Sequence, residues 1–208
     1  MDLLRQLPTF LAAVALISAV PGPAVTLLIR RCSVGGFRAG VPVVLGLEAG
    51  LYLWILAAGA GLAALVATSH VAYLVLRIVG AAVLLVLGVQ ALRAARRGAY
   101  DADLTATRVL PRSGFTMGLV TNAANPKAAV FAFAFYPQFI PSGYPLLPTA
   151  AALGVLQIGI EICLYLCFAA LVGRVRTWFA RAAIRRRLDA LCGTVLVALG
   201  LRVATESR

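Results

Sequence analysis

Charge is scarce in this chain, acid above all: Asp and Glu number seven in 208 residues, and charged residues make up 12% of the whole. A soluble domain carries about a quarter charged and about half apolar residues, whereas 62% are hydrophobic here. That excludes a soluble globular protein and leaves an all-α integral membrane protein with no room for a separate soluble domain. Histidine occurs once and methionine twice, none of them near the acids in the apolar runs, which argues against a soft transition-metal site. Cys32, Cys163, Cys167 and Cys192 form no Cys-x-x-Cys pair, so a disulfide framework is not expected and the thiols read as packing residues. No nucleophile, base and orienting group recur together. An enzyme is therefore not expected, nor a cofactor.

What is present is arginine, eighteen against a single lysine, giving a net charge of +12. In a soluble chain that excess would suggest nucleic acid, but these arginines are sorted by loop. Apolar spans run roughly 7–29, 39–67, 71–92, 114–140, 147–173 and 188–205, each near or above the roughly 20 residues that cross the hydrocarbon. The first, third and fifth connections hold Arg30, Arg31 and Arg38, then Arg93, Arg96, Arg97, Arg108 and Arg112, then Arg174, Arg176, Arg181, Arg185, Arg186 and Arg187; the second and fourth hold neither Lys nor Arg. Arginine-rich loops stay in the cytoplasm. Six membrane crossings with both termini outside the cytoplasm follow from that alternation. The first span is not expected to be a cleaved signal, because its positive charges follow the apolar stretch.

Within this apolar background one motif occurs twice. Gly46-Leu-Glu48-Ala-Gly-Leu-Tyr52-Leu is echoed by Gly159-Ile-Glu161-Ile-Cys-Leu-Tyr165-Leu, each in the second span of its half. Tyr stands four residues after Glu in both, one turn along the same helix face. The first and fourth spans are both interrupted by proline, at Pro21-Gly22-Pro23 and Asn125-Pro126-Lys127, and the third and sixth both carry paired glycines, Gly80 with Gly88 and Gly193 with Gly200. Three crossings per repeat put the second copy in upside down. Repeat one then covers about 1–92 and repeat two about 114–208, with a cytoplasmic linker over 93–113. Inverted repeats are a common architecture of secondary transporters, whose sites lie at mid-membrane between interrupted helices. Pro21, Pro23 and Pro126 cannot donate to the carbonyls of Ile17, Ala19 and Asn122, and in lipid such carbonyls need another partner, expected to be a wet cavity or a ligand. Small residues such as Gly59, Gly61 and Gly88 permit close helix contact within or between subunits of a homo-oligomer.

Pro21-Gly22-Pro23, then Gly35-Gly36-Phe37-Arg38-Ala39-Gly40, then Asn125-Pro126-Lys127-Ala128-Ala129 followed by Phe135-Tyr136-Pro137-Gln138-Phe139 resemble the LysE/RhtB family of amino-acid exporters over essentially the whole chain. The Asn-Pro-Lys form is similar to the branch associated with neutral amino acids, whereas an acid at Glu48 is similar to the branch for basic ones. The resemblance implies efflux of amino acids, with protons in exchange. The residues offer a mechanism. An ionised residue such as Asp costs roughly 3 kcal/mol at a helix centre, so Glu48 and Glu161 read as functional. Lys127, the one lysine, sits about midway along the fourth span and needs a partner, Glu161 or Glu48, whether as a coupling group or a static ion pair. Glu48 or Glu161 with freed carbonyls would hold the substrate ammonium, and backbone N–H groups at a broken half-helix, with Lys127, its carboxylate. Asn122, Asn125, Tyr52 and Tyr165 would line the site. The alternative is a cation channel or metal-ion exporter using the same carboxylates.

Overall fold

The computed structural model describes residues 3–20, 22–68, 70–97, 113–141, 143–172, 174, 177–178 and 181–205. Their regular structure is all helical: α1 (Leu3–Ala19), α2 (Pro23–Thr68), α3 (His70–Arg97), α4 (Gly114–Ala123), α5 (Pro126–Phe135), α6 (Leu146–Ala170) and α7 (Ala182–Thr205), with a 3-10 turn at Tyr136–Gln138. The proline motifs interrupt helices where expected. Ala19 ends α1 and Pro23 opens α2; Ala123 ends α4 and Pro126 opens α5. A proline at the first helical position forfeits nothing, since its N–H would have no intrahelical partner there. Pro21 itself lies outside the described residues. Ser113 caps α4, its Oγ accepting from Thr116 N at 3.2 Å.

The chain does reverse within the connection expected around residues 30–38, but helix runs into it from both sides. α2 runs through it and leaves helical geometry at Gly36 (φ 69°, ψ −172°), a region essentially reserved for glycine. The two arms of α2 fold back on each other: a Cβ at Gly40 would stand 3.2 Å from Leu28 Cδ1, whereas twelve residues of straight helix would put about 18 Å between them. One residue makes the reversal. Two other expected spans, 71–92 and 188–205, are continued by helix at their arginine-rich ends, to Arg97 in α3 and from Ala182 in α7. An apolar run measures the hydrocarbon it matches, not the helix that carries it.

α2 is the central element, packed along α4 and α6, and α3 packs along α7. The glycines singled out in the third and sixth spans meet there. A Cβ at Gly88 would lie 2.8 Å from Gly193 O, and one at Gly193 2.7 Å from Gly88 O, so the two backbones touch in a reciprocal contact. Gly59 is used in the same way, against Leu147 and Ala150 of α6. One buried cluster joins Phe10, Ile55, Leu84, Phe135, Tyr136, Phe139, Leu153 and Leu196; the other joins Val25, Leu28, Val43, Leu47, Tyr165 and Ala169. Outward faces are apolar too, with Leu53, Ile78, Val155 and Leu191 more than half exposed. Leu146–Ala170 is long and apolar enough to cross a bilayer, and Pro23–Ala64, which includes the reversal at Gly36, holds an apolar stretch of sufficient length as well. All four cysteines are free. Cys32 and Cys192 are buried, but Cys163 and Cys167 are exposed on α6, correcting their reading as packing residues: the four-residue spacing does place them on one face, and that face points outward.

Candidate functional site

Polar side chains gather where the interrupted helices meet α6. Glu161, on α6, is 6% exposed. Its Oε1 accepts a hydrogen bond from Gln157 Nε2 at 2.6 Å, and Gln157 Oε1 in turn accepts from the Tyr136 hydroxyl at 2.8 Å. Four residues make one helical turn, so Gln157 stacks over Glu161 on the buried face of α6. Glu48, on α2, is 3% exposed, and neither of its carboxyl oxygens has a hydrogen-bond partner. The two acids are close enough to interact electrostatically. The repeated motif therefore converges on one buried region.

Asn122 joins α4 to α2 beside Glu48. Its Nδ2 donates to Leu47 O at 2.7 Å, and its backbone carbonyl accepts from Trp54 Nε1 at 3.3 Å. A buried side-chain hydrogen bond contributes about 0.5–1.5 kcal/mol net. Asn122→Ala is accordingly expected to lower the stability of the detergent-purified protein by about 1 kcal/mol, read from thermal unfolding, since Trp54 keeps its backbone partner.

A cavity of about 110 Å³ opens between these elements, room for several waters or a small ligand. Gly22, Pro23 and Ala24 at the start of α2 border it on one side and Asn125 and Ala128 at the start of α5 on another; Ser18, Asn122, Gln157, Glu161 and Tyr165 supply the remaining polar wall. Helix N-termini carry about half a positive charge each, so two of them and one carboxylate face a common space.

Of the residues singled out from sequence, Glu161, Asn122, Asn125, Tyr165, Gly22 and Pro23 border this cavity. Glu48 and Tyr52 do not. Tyr52 packs against α6 instead, where a Cβ at Gly154 would lie 3.1 Å from its ring. The side chains of Pro126 and Lys127 lie outside the described residues. The expectation for the freed carbonyls of Ile17 and Asn122 needs correction. Ile17 O accepts from Val20 N at 3.3 Å and Asn122 O from Asn125 N at 3.0 Å, tight local turns that re-satisfy what proline removed. Gln157, Tyr136 and Ser18 were missed. Gln157 had a signal, a polar residue one turn before Glu161 in an apolar run; Tyr136 lay in a family-like motif with nothing to mark its hydroxyl.

A family model described as LysE type translocator matches residues 15–207. A homoserine/homoserine lactone efflux protein of Salmonella typhimurium is 31% identical over 196 residues, covering 94% of both chains, and one of Salmonella typhi is 30% identical over the same shares. A membrane protein of Vibrio cholerae is 29% identical, covering 94% of this chain and 95% of its own. No solved structure matches.

Proposed function

The chain belongs to the LysE translocator family, and on that premise we propose that it exports small neutral amino acids from the cytoplasm, in exchange for protons. The observation that carries this reading is the cavity bordered by Glu161 and by the starts of α2 and α5. Glu161 takes the substrate ammonium. The helix starts take the carboxylate, by the general affinity of such termini for anions. The homoserine named in the Salmonella relatives is the substrate of choice, because it presents those two charged groups on a short polar chain.

Six crossings of the bacterial inner membrane, arranged as two inverted repeats over about 1–92 and 114–208 and joined by a cytoplasmic linker at 93–113, place both termini outside. Breaks in the first and fourth spans, acids in the second and fifth, and the Gly88–Gly193 contact between the third and sixth support that pairing. One repeat rocks against the other to alternate access. At the Glu161 carboxylate a proton and the substrate ammonium exclude each other. Proton entry on the outside therefore releases substrate there, and proton loss on the inside readies the site. Glu48, buried beside it, is the second position for a proton.

Counterflow in vesicles tests this. Purified protein in vesicles preloaded with unlabelled homoserine is expected to take up labelled homoserine saturably and severalfold faster than unloaded vesicles. Uptake that no neutral amino acid accelerates, alongside conductance of inorganic cations, would replace the reading with that of a cation pathway.

A further inference from the structure

The two motif copies are not chemically equivalent. Setting Glu48 over Glu161 puts Val44 over Gln157. Val44 is wholly buried and apolar, so Glu48 has no amide one turn before it, and both its oxygens go without a partner. Glu161 is braced and lies on the cavity; Glu48 is unbraced and lies off it.

We propose that Tyr136 and Gln157 are positioning residues that hold the Glu161 carboxylate at the cavity wall, so that Glu161 rather than Glu48 meets the substrate ammonium. This rests on the efflux reading above and assigns the work within that site. A glutamate side chain has three rotatable bonds, and freezing them takes a fixed partner. Gln157 Nε2 supplies it at 2.6 Å on one oxygen of Glu161, and the Ser18 side chain also stands at hydrogen-bonding range of the carboxylate. Gln157 is itself flexible, and Tyr136 fixes it from the far end: a hydroxyl donating to Oε1 at 2.8 Å sets which end of the amide faces the acid. A flipped amide would turn its oxygen towards the carboxylate.

Tyr136 is anchored in turn. It is fully buried, with ring centroids 6.1 Å from Phe10 of α1 and 6.1 Å from Phe135 at the end of α5, both edge-to-face. The brace thus runs from the aromatic cluster through the turn after α5 into α6. It joins an interrupted helix to the acid, so a shift of α5 changes where Glu161 points.

The test uses full-length protein in vesicles and homoserine counterflow. Tyr136→Phe keeps the ring and removes the donor; Gln157→Met keeps the length and removes the amide. Gln157→Met is expected to raise the KM for homoserine about tenfold, the effect of losing one charge-assisted hydrogen bond, and Tyr136→Phe about fivefold, that of losing a neutral one, each with the maximal rate within about twofold of the parent protein. The double variant is expected to match Gln157→Met alone, because residues acting in series do not add. Unchanged KM in Tyr136→Phe, or multiplying effects in the double variant, would overturn the brace. Should Gln157→Met yield no folded protein, the KM of Tyr136→Phe decides alone. Parent protein that shows no homoserine counterflow would sink the efflux reading and the brace with it, whereas normal parent counterflow with an unmoved variant KM sinks only the brace.

Discussion

Glu161→Gln is expected to reduce homoserine counterflow in vesicles by about two to three orders of magnitude while the protein inserts and purifies as before. Glutamine has the shape of glutamate and keeps an oxygen to accept from Gln157 Nε2, at present 2.6 Å from the carboxylate, so packing around α6 is preserved. What is lost is the charge facing the cavity. Leaving one member of a buried ion pair without its counterpart costs about 3–5 kcal/mol, and at 1.4 kcal/mol per decade that removes the substrate ammonium from the site. A pH gradient should then drive no efflux either, because the position at which proton and ammonium compete has gone. Efflux equal to that of the parent protein would transfer the coupling role to Glu48 or away from carboxylates altogether.

How much of this site could be read in advance depended on whether the signal was local in sequence. Pro23 and Pro126 opened helices as expected because proline acts on its own backbone. Glu48 and Glu161 stood out because an acid is costly in an apolar run, but of the two only Glu161 borders the cavity. Gly36 showed the opposite limit. The arginines around it marked a connection, but not that the reversal is made by one residue at φ 69° with helix on either side.

The freed carbonyls misled for a related reason. Proline removes one hydrogen bond, yet whether the carbonyl stays open depends on the next turn, and at Asn122 the backbone of Asn125 and the indole of Trp54 both answer it. The second of these spans 68 positions and has no trace in local pattern. Tyr136 was hidden in the same way: its hydroxyl matters through a residue 21 positions further on.

The second large effect separates two glycines that the sequence presents as equals. Gly46 and Gly159 open the two copies of the repeated motif, but only Gly46 lies at a backbone crossing. A Cβ at Gly46 would overlap Phe115 O and stand 2.8 Å from Leu119 N, and across the same contact one at Gly118 would overlap Val43 O and stand 2.7 Å from Leu47 N. These obstacles are main chain, so no rotamer change can relieve them and α2 would have to part from α4. Around Gly159 nothing lies within 4 Å. Gly46→Ala is therefore expected to cost about 3 kcal/mol or more, enough to leave little folded protein given the narrow stability of most domains. Gly159→Ala is expected to be neutral or to stabilise by about 0.5–1 kcal/mol, by restricting the unfolded chain and favouring helix. Folded yield and thermal unfolding of the two variants in detergent give the comparison. The separation of α2 from α4 would also move Glu48 and break the Asn122 bond to Leu47 O, so any Gly46→Ala protein that does fold should transport poorly. Equal behaviour of the two alanine variants would mean that the α2–α4 crossing is looser than this contact requires.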